Sequence, residues 1–253
     1  MSITPSFRIE HTGPLPFIDY LPPAQESSFF IRLFLRGAEM DRTLGDPHVA
    51  REVIEKIVPL QGPLIAPRQV HGDRLIRGVR KFSLPSRPEG DGVLIENSGI
   101  EASLRFADCY PVILASQEPS KWIALLHSGY RGVLNNIAGN TCKALFADSD
   151  RSPLSTFAWI GPGIGRRHYS RRRDDQWTEK GLSLFAPENT DDLGDEVFFD
   201  LGAQIRDQLV SSGIPPSNIR PVPLCTFERN DLFYSYRRGD FENRLFLMAF
   251  IKR

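Results

Sequence analysis

Four short apolar runs limit what this chain can fold into: GVLIE (92–96), PVILAS (111–116), WIALLH (122–127) and TFAWIG (156–161). Each is rich in β-branched or large apolar residues and too short for an ordinary helix, so each reads as a strand. FFIRLFL (29–35) is another. Between them the period changes. In GDPHVAREVIEKIV (45–58), Asp46 can cap a helix, Pro47 suits its first position, and Val49, Val53 and Ile57 recur every four residues. Beyond SGYRG, the residues Val133, Ile137, Thr141 and Ala144 share one helical side. DLGAQIRDQLVSSG (200–213) has an Asp200 cap, the face Leu201/Ile205/Leu209 and a terminal glycine. Strands and helices mixed in this way predict an α/β or α+β fold, without fixing the strand order.

At 253 residues the chain can bury a substantial core. No repeat, low-complexity tract or long Pro/Gly linker divides it. Acidic and basic residues balance at 31 each, which argues against partners that need a basic field, such as nucleic acid or a membrane surface. No apolar run approaches a bilayer span, and MSITPSFRIEHTGPLPFIDY lacks the pattern of a signal peptide. Three cysteines do not make a disulfide framework, so a reducing cytoplasm is expected.

The chemistry concentrates where strands end. LRFADCYPVILAS (104–116) is strand-like except for Asp108-Cys109, a carboxylate followed by a thiol. His71, in PRQVHGD, and His127, in ALLHSGYRG, also fall at junctions of ordered and irregular backbone. Two imidazoles and a thiolate suit zinc, with a fourth position open to water or substrate. The same residues support a metal-free alternative, a hydrolase or amidase in which Cys109 is the nucleophile and a histidine its base. An inert buried thiol beside hydrogen-bonded histidines is the third possibility. Long sequence separations leave all three open.

QVHG, EGDGVLI, ADCYPVILAS, HSGYRG, WIGPGIG…Y, LCTF and YSYRR occur in this order between about Arg36 and Arg244. In this the chain resembles the YfiH/laccase-domain family, whose members also carry the label multicopper polyphenol oxidase. The resemblance implies one compact mixed α/β (α+β) domain over 1–253, with mixed sheets flanked by helices. It implies zinc on His71, Cys109 and His127. It further implies phosphorolysis of adenosine, inosine, guanosine and methylthioadenosine, with phosphate as co-substrate, and hydrolytic deamination of adenosine. Cys109, Asp91 and Asp108 are then the candidates for catalysis or for steadying the ligands. Arg36, Tyr130 and Arg131 are the candidates for substrate binding, since a guanidinium suits phosphate oxygens and an aromatic can stack on a base.

Several positions depart from the family pattern. Tyr130 stands where relatives usually have Trp, RGAEMD lacks a second glycine after Arg36, and Arg51 and Asn243 replace an asparagine and a glycine. RRHYSRRRDD (166–175) has three consecutive arginines where relatives are more apolar, a run that could attract nucleotide phosphates or form a solvated face. These departures keep a non-catalytic zinc- or nucleotide-binding protein as a further alternative. Cys142 and Cys225 are expected to be structural, and Tyr236 or Arg237 to approach the site. Copper is not expected as a cofactor, because five histidines without a His-x-His pair cannot build a mononuclear and a trinuclear centre.

Overall fold

A computed structural model of the chain describes residues 6–11, 13–22, 28–147 and 150–253. Two six-stranded sheets and a small third one carry the fold. The first runs in the order Phe7–Glu10, Phe17–Tyr20, Phe29–Phe34, Leu245–Ile251, Glu101–Phe106, Leu64–Ile65. The second runs Ile219–Pro221, Phe157–Ile160, Tyr110–Ser116, Trp122–Ser128, Gly92–Ile95, Leu75–Arg77. In each, antiparallel pairs form the centre and a parallel pair closes at least one edge. The third sheet places Glu196–Phe199 between Ser170–Arg172 and Thr190–Asp192.

The apolar runs lack polar alternation because the second sheet is buried on both faces. Ile113, Ile123 and Leu125 point into a core shared with Leu33, Leu104 and Leu247 of the first sheet. Val112, Leu114, Ala124 and Leu126, one residue out of phase, pack instead against Val133, Ile137, Ile205 and Leu209 of the helices. The result is sheet on sheet on helices, a mixed α+β architecture.

Helix Pro47–Glu55 begins as its sequence predicts: the Asp46 side chain accepts from the His48 and Val49 N–H groups. Its inner face differs, however. Ala50, Val53 and Ile54 are buried, while Val49 and Ile57 are 38% and 44% exposed. The helical pattern after SGYRG is two helices, Tyr130–Leu134 and Ile137–Phe146, because Asn136 turns left-handed (φ 55°) and recaps the chain on the Gly139 N–H. Val133, Ile137 and Thr141 are buried as expected, but Ala144 is exposed and Cys142 and Leu145 take the inner side. Helix Leu201–Ser211 carries its Asp200 cap and buries Leu201, Ile205 and Leu209. The arginine run pairs locally, Arg171 with Asp175, Arg172 with Asp174 and Arg173 with Asp192, and so presents a neutralised face. Ala38–Asp41 and Gln176–Leu184 are further helices.

Leu125 lies fully buried between the two large sheets. Leu125→Ala is expected to cost about 2–5 kcal/mol, read as a lowered urea midpoint with an unchanged denaturant slope.

Candidate metal centre

Three neighbouring strands of the second sheet end together. Pairing of Pro111 with His127 and of Gly92 with Leu126 brings Cys109, His127 and Asp91 to one end of the sheet. The His127 N–H donates to the Asp91 carbonyl at 2.7 Å. His71 arrives on a loop that docks through Gln69, whose amide donates to the Arg105 carbonyl (2.8 Å) and accepts from the Arg105 N–H (2.9 Å). Ligand atoms of His71, Cys109 and His127 all lie within 4.8 Å of one another.

Asp91 organises the set. Its carboxylate is fully buried and accepts from the backbone N–H groups of Val70 (3.1 Å), His71 (2.9 Å) and Gly72 (2.8 Å). Its Oδ1 also lies 2.8 Å from His127 Nδ1. Burial pushes this carboxyl up, but the His127 bond and charge and the backbone donors hold it below its usual range. A carboxylate can only accept, so Nδ1 carries the hydrogen and the His127 Nε2 lone pair is left for the Cys109 and His71 side.

Burial raises the Cys109 thiol, yet His127 and His71 together bring it down to about 6. Burial lowers His127, yet the Cys109 and Asp91 charges and bonds raise it to about 9. Each of the two groups thus favours the charged form of the other. Gly129 makes room for the centre: a Cβ there would stand 2.6 Å from Cys109 Sγ and 3.1 Å from His71 Cδ2. Two residues of the centre hold left-handed backbone, His71 at φ 61° and Asp108 at φ 83°. Convergent donors, an oriented imidazole and a cleared cradle fit a transition-metal ion of the zinc class.

Asp108 faces the centre but is occupied on every side. Oδ1 accepts from the Thr226 hydroxyl (2.7 Å), Oδ2 from the Arg237 N–H (2.7 Å), and its carbonyl from the Ile164 N–H (2.9 Å). Both carboxylates expected as catalytic candidates thus pin backbone around the ligands. Only Cys109 of that group offers an atom to the centre.

A cavity of about 620 Å³ opens over the three ligands, with Arg105, Arg237 and Arg244 in its wall. Among the described residues, none of these arginines has an acidic partner within salt-bridge distance. Burial, then the neighbouring Arg87 and Arg244 charges, bring Arg105 down to about 10. Burial also lowers Arg244. A smaller space of about 210 Å³ lies on the other side of His71 and Cys109, lined in part by Tyr130 and Arg131.

The substrate-binding expectations divide accordingly. Tyr130 packs with Phe185 and Phe199 and donates its hydroxyl to the Trp177 carbonyl (2.8 Å), which makes it chiefly a core residue. Arg131 lies over the Trp177 ring at 5.1 Å. Arg36 lines neither space; it is bound to Asp240 (3.2 Å) and Asn230 (2.8 Å), so its assignment to substrate finds no geometric support. Tyr236 and Arg237 do reach the cavity. Sequence reasoning missed Arg105 and Arg244. The available signal was a lone arginine inside the apolar stretch LRFADCY.

Removal of the Asp91 charge in Asp91→Asn is expected to weaken zinc binding about 10–100-fold, measured by competition with a chelator. Gly129→Ala should weaken it as well, with far-UV circular dichroism preserved. Between about pH 6 and 9 the proton rests on His127 rather than on Cys109. Metal uptake in that window should release about one proton, and affinity should fall as the pH drops. Calorimetry in buffers of different ionisation enthalpy reads both.

Residues 47–250 match the family described as multi-copper polyphenol oxidoreductase laccase. A purine nucleoside phosphorylase of Aquifex aeolicus is 30% identical over 179 residues, which are 71% of this chain and 78% of that protein. One of Xylella fastidiosa is 29% identical over 197 residues, 73% of this chain and 70% of that one. The fold is that of YlmD from Geobacillus stearothermophilus, with a TM-score of 0.83 at 22% identity over 98% of this chain and 99% of that chain. Bacillus licheniformis YfiH superposes with a TM-score of 0.82 at 19% identity, over 96% and 99% of the two chains. By its matched length and its fold, the chain belongs to the YfiH family of laccase-domain proteins.

Proposed function

We propose that this chain is a zinc-dependent purine nucleoside phosphorylase, acting as one unit over 1–253. The observation that carries the proposal is the joining of two features in one cavity, a Cys-His-His donor set and three guanidinium groups without acidic partners. Relatives named purine nucleoside phosphorylase support it at 25–30% identity. His71, Cys109 and His127 would hold the ion, which supplies a Lewis acid with an open position.

Arg105, Arg237 and Arg244 supply what an inorganic phosphate needs, charge-assisted donors in a partly desolvated wall. A cavity of about 620 Å³ is of the size that holds a small ligand such as a nucleoside. In phosphorolysis a phosphate oxygen bonds to C1′ of the ribose as the C1′–N9 bond breaks. The electron pair leaves with the base, which takes up a proton, and ribose 1-phosphate remains. Adenosine, inosine, guanosine and methylthioadenosine are the proposed substrates. Hydrolytic deamination of adenosine at the same centre belongs to the proposal, as does a cytoplasmic location. Among the described residues no helix is long and apolar enough to cross a membrane.

One observation favours a second reading. Cys109 lies in hydrogen-bond and charge contact with His127 and His71, which lower its thiol against burial; that is the arrangement of a cysteine nucleophile, so a Cys-His hydrolase is the alternative.

Zinc-loaded protein incubated with inosine should yield hypoxanthine and ribose 1-phosphate only when phosphate is present, and Cys109→Ala should yield neither. Chelation that abolishes turnover supports the metal reading; turnover that survives full chelation supports the hydrolase. Arg244→Met should raise the phosphate KM about tenfold or more, the loss expected for one charge-assisted contact, with a smaller effect on the nucleoside KM. Adenosine turned to inosine without phosphate would mark the deaminase.

A further inference from the structure

A second set of soft and borderline donors lies outside the cavity. His168, Cys225 and Glu228 present ligand atoms that all lie within 4.8 Å of one another. A His–Glu pair on a surface is ordinary, and His168 Nε2 does lie 2.9 Å from Glu228 Oε1. The sulfur makes it a donor set. Cys225 is only partly buried, and its Sγ accepts from the Gly165 N–H at 3.1 Å, which turns it toward the segment that carries His168.

Local backbone holds the three together. A bridge pairs Gly163 with Cys225, and the Thr226 N–H donates to the Gly163 carbonyl at 3.0 Å. Arg229 N–H donates to the Cys225 carbonyl (3.1 Å), so Cys225 and Glu228 share one side of a single helical turn. The His168 ring stacks on Phe227 at 4.4 Å between centroids, with the planes 17° apart. Around a tetrahedral zinc-class ion, neighbouring ligand atoms stand roughly 3.4–3.8 Å apart. Glu228, whose side chain is 56% exposed, can change rotamer toward that spacing without displacing core packing.

We propose that His168, Cys225 and Glu228 form a second metal site, taking a borderline-soft divalent ion such as Zn²⁺ or Co²⁺, with water in the fourth position. On binding, the Cys225 thiol gives its proton to solvent, the His168 hydrogen that faces Glu228 shifts to the other ring nitrogen, and the carboxylate binds as it is. The ion ties the Arg166–His168 turn to the 225–229 turn. Both neighbourhoods also hold Asp108, through the Ile164 N–H and the Thr226 hydroxyl. The site thus braces the residue that precedes Cys109, while lying apart from the first donor set.

The test isolates the second thiolate. Cys109→Ser protein, stripped of metal and free of any affinity tag, is titrated with Co²⁺. A thiolate-to-metal charge-transfer band should appear and saturate near one equivalent. It should vanish in Cys109→Ser/Cys225→Ser, and Cys109→Ser/Glu228→Gln should bind about tenfold or more weakly. Cys142, fully buried, cannot supply the band. Absence of the band in folded Cys109→Ser, or its survival without Cys225, overturns the proposal. Should Cys109→Ser not fold, the otherwise unaltered chain decides. Two equivalents falling to one in Cys225→Ser support the site, and a single equivalent indifferent to Cys225→Ser overturns it.

Discussion

A carboxylate removed from water must be compensated almost entirely by donors, or it will not stay charged. At Asp91 that compensation is the architecture of the centre. Three consecutive backbone N–H groups, from Val70, His71 and Gly72, turn inward to meet it, and the fourth donor is the His127 ring. One buried charge therefore fixes the path of the loop that carries His71 and the tautomer of His127. It does so from the residue just before the Gly92–Ile95 strand, where the stiffness of a sheet buried on both faces stands behind it.

Cys109 is held by a different means. Asp108 adopts a left-handed backbone, which costs a non-glycine residue energy, and its side chain and carbonyl are bonded to three separate segments. That strain turns the chain so that Cys109 faces His71 and His127 instead of continuing the strand. Gly129 belongs to the same solution, since the thiol occupies the volume in which any other residue would place its Cβ. Such positions are fixed by the geometry of the centre and gain nothing from general packing.

Much of this was legible before the fold was known. Strands at 92–96, 111–116, 122–127 and 156–161, and the Asp46 and Asp200 caps, follow from local chemistry and were found where the sequence puts them. His71, Cys109 and His127 stood out because each interrupts an ordered run. What was not legible depended on distant partners. A four-residue repeat could not tell that Val49 and Ile57 face outward, because the inner face of that helix is set by what it packs on. Nor could it see that Asn136 would divide one helical pattern into two. On sequence alone Arg36 suits either an anion or a structural ion pair, and the partners it has, Asp240 and Asn230, come from about 200 residues away. Arg105 and Arg244 escaped notice for the opposite reason: each is one arginine among many in the sequence, and only the fold leaves it without an acid.

Cations bonded only to carbonyls, with no acidic partner among the described residues, bear on stability as well as chemistry. Arg105 is depressed chiefly by burial, and then by the neighbouring Arg87 and Arg244 charges. Three aspartates neutralise the 171–173 arginines at the surface, so the fold does not lack the means to pair an arginine where pairing is tolerated. Arg105, Arg237 and Arg244 bond to backbone carbonyls and, among the described residues, to no acidic side chain, which keeps a positive potential beside the Cys-His-His set. In the proposed phosphorolysis, relief of that potential would form part of the binding free energy of phosphate.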